Sequence, residues 1–121
     1  MITGIVTDDG VPLIRVSIGG HEWPAIIDTG FNGGLELPES CRDVVEPQFL
    51  GRIVSVLAGG MKIEEDAFRV EFPFDGDGVE SEATFVDSET ILIGTALLAN
   101  HLLAIDFPAK TVTLERATPE R

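Results

Sequence analysis

Apolar and polar residues alternate along most of this chain, in short segments separated by turn-forming residues. Ile2–Val6 and Pro12–Ile18 alternate in this way, and Asp8-Asp9-Gly10 separates them. Gly19-Gly20 then favours a two-residue hairpin turn, and residues 22–27 form the next alternating segment. A period of two is typical of β-strands with one buried face. The first part of the chain therefore predicts a run of antiparallel strands.

The middle of the chain continues the pattern with one longer hairpin. Residues 35–37 predict a short strand, and residues 51–70 predict a hairpin with Ala58-Gly59-Gly60 at its tip. Residues 79–85 alternate again. Ile91–Ile93 is wholly apolar, which is typical of a short strand buried on both faces.

The last part of the chain predicts one helix and a final hairpin. Thr95 can cap a helix whose apolar face extends to Leu102 and Leu103. Residues 104–107 and 111–115 then predict two strands. Many short strands with one late helix indicate an all-β domain, because nucleotide-binding folds alternate strands and helices.

Length and composition limit the possible classes of protein. The chain has 121 residues, of which 44% are hydrophobic, so we expect a single domain over residues 1–116 and a frayed tail over residues 117–121. The net charge is −13, with 8 basic against 21 acidic residues, which argues against nucleic-acid binding. No apolar run approaches the roughly 18 residues of a membrane span, and Met1 is not followed by a secretion signal. These features predict a cytoplasmic protein that binds neither nucleic acid nor membrane.

Several side chains have plain structural interpretations. Cys41 is the single cysteine, which excludes an internal disulfide and favours a packed side chain. His21 and His101 lack the spacing of metal ligands, so no metal and no cofactor is expected. Glu64-Glu65-Asp66 is expected to be a solvated turn.

Asp28, Thr29 and Gly30 have the clearest chemical potential. They follow the apolar residues 25–27, which would place the Asp28 carboxylate at the rim of a core. A charge there is costly unless it finds partners, and a carboxylate in such a place can act as a general base. The same residues also fit an ordinary turn, because Asp before Gly commonly forms an Asx turn.

In order, these features resemble the retropepsin-like (clan AA) aspartic proteases of the small single-domain prokaryotic type. An apolar strand leads into Asp28-Thr29-Gly30, a glycine-bearing hairpin follows at residues 56–61, and Ile91-Leu92-Ile93-Gly94 precedes a short helix and a last strand. The resemblance extends from about residue 10 to residue 114. It implies a retropepsin-like closed β-barrel half-site with one short C-terminal helix.

The resemblance also implies an activity and a dimer. The chain has one Asp-Thr-Gly and is too short for two lobes, so an aspartic endopeptidase would need a carboxyl dyad shared across a homodimer acting on a peptide or unfolded protein. Thr29 would form a hydrogen bond across that dimer, and Gly30 would let the backbone approach the dyad or the substrate. Ile91-Leu92-Ile93-Gly94 would support the Asp28 loop from behind. Ala58-Gly59-Gly60 would be the tip of a flap that closes over the peptide.

Other expectations concern the cleft and the interface. Phe31 follows Gly30 where retroviral members usually carry a small residue, so its ring would narrow the cleft or shape a substrate pocket. The terminal strands, near residues 2–6 and 112–115, are candidates for a dimer sheet. Two alternatives stay open: a non-catalytic peptide-binding or structural dimer with the same fold, and a monomeric β-barrel binder in which Asp28 only orders a turn.

Overall fold

The computed structural model describes residues 1–117, and these form ten β-strands and two four-residue α-helices. The strands are β1 (Ile2–Val6), β2 (Pro12–Ile18), β3 (His21–Ile27), β4 (Leu35–Pro38), β5 (Gln48–Val56), β6 (Lys62–Phe74), β7 (Asp77–Val86), β8 (Ile91–Ile93), β9 (His101–Asp106) and β10 (Thr111–Arg116). A 3₁₀ turn (Glu39–Cys41) and helix α1 (Arg42–Val45) connect β4 to β5, and helix α2 (Thr95–Leu98) follows β8. Over residues 1–117, neither helix has the length and apolar character needed to span a membrane.

All ten strands pair in one series, in the order β5-β6-β7-β4-β8-β3-β2-β1-β10-β9. The antiparallel pair β4 and β8 lies inside this series, with β7 parallel to β4 and β3 parallel to β8. The all-β prediction is confirmed. A closed barrel is not shown, because the pairings found within residues 1–117 end at β5 and β9.

The core is built from the inward-facing residues of the strands, and β2 packs against β6 across it. Burying an Ile or Leu side chain contributes about 1.5–3 kcal/mol before the entropy cost. The large side chains with the least exposure come from β2, β4, β6, β8 and β10, and Cys41 is buried with them. They are Ile14, Ile18, Leu35, Leu37, Val70, Ile91, Ile93, Val112 and Leu114.

Helix α2 is shorter than the sequence predicted. It ends at Leu98, and Leu103 lies in β9, where it pairs with Leu114 of β10. The prediction that Thr95 caps the helix is also wrong, because Gly94 is the N-cap residue and no side chain caps this end. Two adjacent leucines fit a helix face and a strand equally well, and pairing with β10 selects the strand because it places Leu103 against the core.

The two terminal strands lie inside the sheet. β10 pairs with β1 on one side and with β9 on the other, so it has no free edge for the predicted dimer sheet. β1 pairs with β10 and, at its end, with β2. The predicted frayed tail falls largely on residues 118–121, which lie outside the described residues; Ala117 donates its backbone N–H to the Asn100 carbonyl at 2.8 Å.

Candidate functional site

Asp28 directly follows β3 at the point where this strand leaves the core. Ala25 and Ile27 are buried, and β3 pairs in parallel with β8, so that Ile27 lies opposite Ile93. The backbone N–H of Asp28 donates to the Ile93 carbonyl at 2.9 Å, which extends the ladder by one residue. The Asp28 side chain is thereby held, partly buried, at the end of a rigid element.

The loop after Asp28 turns sharply towards solvent. Oδ1 of Asp28 accepts a hydrogen bond of 2.9 Å from the N–H of Gly30, and the N–H of Phe31 donates to the Asp28 carbonyl at 3.1 Å. A Cβ atom on Gly30 would lie 3.2 Å from Oδ1, closer than an ordinary contact. Thr29 and Gly30 are exposed. This geometry is that of an Asx turn, and it leaves the second carboxylate oxygen free of protein partners among the described residues.

Backbone hydrogen bonds connect this loop to the start of α2. Thr95 N–H donates to the Phe31 carbonyl at 2.8 Å, and Ala96 N–H donates to the Gly33 carbonyl at 3.1 Å. Gly94 N–H donates to the Gly34 carbonyl at 2.9 Å. A Cβ on Gly94 would overlap the Gly33 carbonyl oxygen, so only glycine fits this crossing. Of the four residues predicted to support the Asp28 loop, Ile93 and Gly94 bond to it directly, whereas Ile91 and Leu92 pair with β3.

Phe31 lies between the loop and a cavity. Its ring covers the backbone of Gly33 and Gly94, where an added Cβ would approach the ring to 2.7 Å. The same residue lines a cavity of about 250 Å³ between the loop and the β5–β6 hairpin. The Phe31 ring is therefore one of the side chains that define this cavity.

The β5–β6 hairpin forms the other wall. Gly59 and Gly60 have φ angles of 87° and 84°, which suit a tight turn, and Leu57 N–H donates to the Met61 carbonyl at 2.7 Å. Leu57 lines the cavity, whereas the tip residues Ala58-Gly59-Gly60 are exposed and lie outside its lining in the part of the chain that the structure describes. The hairpin thus covers the cavity with its stem.

The cavity has apolar walls with several polar side chains among them. Its apolar side chains are Phe31, Leu35, Ile53, Val56, Leu57, Ile63, Ala83 and Val86. Its polar side chains are Glu36, Ser55, Glu65, Glu82 and Thr84, of which Thr84 is buried. Mixed walls of this kind are typical of binding sites.

Glu36 is the titratable side chain most affected by this environment. It belongs to β4, between the buried Leu35 and Leu37. Burial, together with the nearby carboxylates of Glu65 and Asp28, raises the pKa of Glu36 above its usual range. The three acidic groups are thus close enough for their charges to interact.

Sequence reasoning missed Glu36 and misplaced Glu65. Glu64-Glu65-Asp66 is not a solvated turn: all three residues lie in β6, and Glu65 faces inwards. Ser55 Oγ donates a hydrogen bond of 2.6 Å to a carboxylate oxygen of Glu65. The available signal was alternation, since Glu65 is two residues from both Ile63 and Ala67 and therefore shares their face.

A larger hollow of about 770 Å³ lies elsewhere, lined by β7, α2 and β10. It includes His101, whose ring nitrogens are buried without a hydrogen-bond partner among the described residues. None of Asp28, Thr29 and Gly30 lines either cavity, but the smaller one is lined by Phe31 of the same loop and by Glu36, whose pKa the Asp28 carboxylate helps to raise. We therefore place the candidate site at the Asp28 loop and the smaller cavity.

Comparison with known proteins gives matches in structure. No protein-family model matches the sequence, and no curated protein matches it. A retropepsin-like aspartic protease from Rickettsia conorii has a TM-score of 0.64 at 14% identity, over 93% of this chain and 87% of that chain. EIAV protease, complexed with the inhibitor HBY-793, has a TM-score of 0.61 at 16% identity, over 77% of this chain and 89% of that chain.

A third match is to part of a longer protein. The foamy viral protease-reverse transcriptase, in complex with an RNA/DNA hybrid, has a TM-score of 0.60 at 18% identity over 72% of this chain. This chain spans 11% of the length of that protein. Identities this low show a common fold, and activity has to be argued from the residues themselves.

Proposed function

We propose, from the retropepsin-like fold that this chain has, that it is an aspartic endopeptidase whose site forms when two copies bring their Asp28 side chains together. The position of Asp28 supports this most directly. It follows a buried strand, is tied to Ile93 at 2.9 Å and lies beside exposed Thr29 and Gly30. A carboxylate on a rigid element at an exposed loop is suited to meet a symmetry mate.

The chemistry needs two carboxyl groups in different protonation states. One carboxylate takes a proton from the attacking water, while the protonated partner donates to the carbonyl oxygen of the scissile peptide. Two carboxyl groups about 3 Å apart cannot both ionise, so they share one proton and titrate as a pair. A single chain with one Asp28 supplies half of this pair, and an isologous dimer supplies the other half.

The substrate would be an extended peptide held under the β5–β6 hairpin. The cavity of about 250 Å³ would receive one of its side chains. Closure of the hairpin, with Ala58-Gly59-Gly60 at the tip, would exclude water and add backbone hydrogen bonds to the peptide. Thr29 and Gly30 would complete the floor of the site, at the contact between the two copies.

Digestion of a peptide library by the wild type and Asp28→Asn tests the activity. We expect wild-type cleavage to rise below neutral pH, because one carboxyl must hold a proton, and we expect no cleavage by the variant. Circular dichroism and thermal unfolding check that the two proteins are equally folded. Equal cleavage by the two proteins at matched folding would refute the assignment.

Mixing the two proteins tests the shared dyad separately. Exchange of subunits at an equal ratio should place half of the wild-type chains in mixed dimers with one Asp28→Asn chain, so activity per wild-type chain should fall to about half. A large excess of Asp28→Asn should bring it towards zero. Activity that stays constant at every ratio would mean that each chain works alone.

The second candidate is a peptide-binding dimer without turnover, favoured by the Phe31 ring in the cavity. A ring there reduces the room for a substrate at the site. Binding of library peptides with no product between pH 3 and pH 8 (about the range in which carboxyl groups and His titrate) would select this candidate.

A further inference from the structure

Three carboxylates line the smaller cavity: Glu82 is exposed, whereas Glu36 and Glu65 come from different strands and lie deeper. Glu36 extends from β4, and Glu65 extends from the inner face of the hairpin. Both are partly buried. Ser55 Oγ holds Glu65 in place at 2.6 Å.

In the part of the chain that the structure describes, the acidic residues on the outer face of the hairpin have a cation beside them, but the inner one, Glu65, does not. On the outer face, Arg52 lies 3.6 Å from Glu64 and 3.3 Å from Asp66. Within residues 1–117, no ion pair involves Glu36 or Glu65. Two partly buried carboxylates without a cation are unfavourable for the free protein, and a ligand that brings a positive charge would relieve this cost.

The size and apolar walls of the cavity define the shape of that ligand. A volume of about 250 Å³ is below the roughly 300–1,000 Å³ of sites for whole small molecules, so it suits one long side chain. Leu35, Ile53 and Ile63 would contact an aliphatic stem. Lys and Arg bury such stems along apolar surface and keep the charged end among polar groups.

We infer that this cavity binds a Lys or Arg side chain of the substrate peptide, with Glu36 and Glu65 as the specificity-determining residues. The inference rests on the proposed function. Arg could bind a carboxylate through two parallel hydrogen bonds, and Lys would bind as a point charge. An acidic side chain would be repelled from the same place. The net charge of −13 also favours the approach of basic peptides.

The test compares peptides that differ at one position. The wild-type library digest should show Lys and Arg enriched at one fixed position relative to the cleaved bond. Peptides with Lys, norleucine or Glu at that position then give three values of kcat/KM. We expect the ratio of Lys to norleucine to fall by about tenfold to a hundredfold in Glu36→Gln/Glu65→Gln, because charge-assisted hydrogen bonds are lost.

Matched variants separate this effect from a general change of charge. Glu64→Gln removes the same charge from the outer face, and its Lys to norleucine ratio should equal that of the wild type. Ser55→Ala should lower the ratio less than the double variant does, because it only releases Glu65. If the double variant does not fold, Glu65→Gln alone replaces it, with an expected partial loss of the preference.

A binding assay on Asp28→Asn distinguishes failure of this inference from failure of the proposed function. Fluorescein-labelled hexapeptides of Ala and Leu, carrying one Lys, norleucine or Glu, are titrated by anisotropy. Cleavage without a preference for Lys or Arg, or a preference that survives in the double variant, would overturn the inference. The proposed protease activity would still stand. Absent cleavage with Lys binding that depends on Glu36 and Glu65 would overturn the protease and retain the cavity assignment. Neither cleavage nor Lys binding would overturn both.

Discussion

The backbone N–H of Asp28 donates a hydrogen bond of 2.9 Å to the carbonyl oxygen of Ile93. These residues are 65 positions apart (93 − 28), yet the parallel pairing of β3 with β8 makes them neighbours. The position of the carboxylate therefore depends on a strand from the far end of the chain. Changes at β8 or at Gly94 should move Asp28 without touching it.

Gly94→Ala should destabilise the protein by about 3 kcal/mol, near the upper end of overpacking costs. The added methyl group would overlap the Gly33 carbonyl and approach the Phe31 ring to 2.7 Å. Urea denaturation measures the free energy of unfolding of each variant. Gly78→Ala is the control, since a Cβ at that position meets no atom within 4 Å, and its effect should stay within about 1 kcal/mol. Equal stability of the two variants would contradict the close crossing at Gly94.

Asp28→Asn and Asp28→Ala should differ in stability. In the wild type, Oδ1 of Asp28 accepts a hydrogen bond of 2.9 Å from the Gly30 N–H. Asn keeps a side-chain oxygen that can accept this hydrogen bond, whereas Ala leaves the N–H without its partner. We expect Ala to cost about 1 kcal/mol more than Asn. Chemical denaturation of both variants checks the difference, and identical midpoints would show that this hydrogen bond contributes nothing to the turn.

Glu36→Gln should raise the melting temperature at pH 7 by roughly 1–4 °C, with little change at pH 3. Burial and the carboxylates of Glu65 and Asp28 raise the pKa of Glu36 in the folded state. The folded chain therefore holds this proton more tightly than the unfolded chain does, and stability falls as pH rises from the unfolded pKa through the folded pKa. Gln cannot ionise, so the variant does not lose this stability as the pH rises.

Glu22→Gln is the control for that measurement, because Glu22 is exposed on β3. It removes the same formal charge from the chain, so it corrects for the general effect of a net charge of −13. If Glu36→Gln and Glu22→Gln raise the melting temperature at pH 7 by the same amount, the cavity has no special effect on Glu36.

Phe31→Ala should cost about 1–2 kcal/mol, less than the roughly 3–5 kcal/mol of a fully buried Phe, because this ring is partly exposed. It should also widen the cavity, so that peptides with bulkier apolar residues gain in relative kcat/KM. Phe107→Ala is the stability control, since Phe107 is 56% exposed. If the order of preference among peptides is unchanged, the ring does not limit what enters the cleft.

Local pattern was sufficient for most of the strands. Ile2–Val6, Pro12–Ile18 and Ile91–Ile93 have the predicted bounds. The Gly19-Gly20 turn has φ angles of 59° and 83°, which glycine adopts without steric cost, so the hairpin is encoded where it occurs. The resemblance read from the order of these features is confirmed at the level of the fold by the solved structures.

Local pattern was insufficient where two structures suit the same residues. Leu102 and Leu103 match a helix face and a strand, and only the pairing of β9 with β10 decides between them. Glu65 was interpreted as a solvated turn because its neighbours Glu64 and Asp66 are acidic. The register of β6 against β5 turns Glu65 inwards instead, next to Ser55.

The sequence by itself determined the strand class, the main turns and the identity of the one Asp-Thr-Gly loop, because period-two alternation and glycine conformations act within a few residues. The tertiary structure decided what surrounds Asp28: Ile93, which accepts its backbone hydrogen bond, Phe31 over Gly94, and the cavity that Glu36 and Glu65 both line. These neighbours come from strands far apart in the chain. Which of them meet depends on strand order and register, and both are set by burial of the whole core rather than by any single segment.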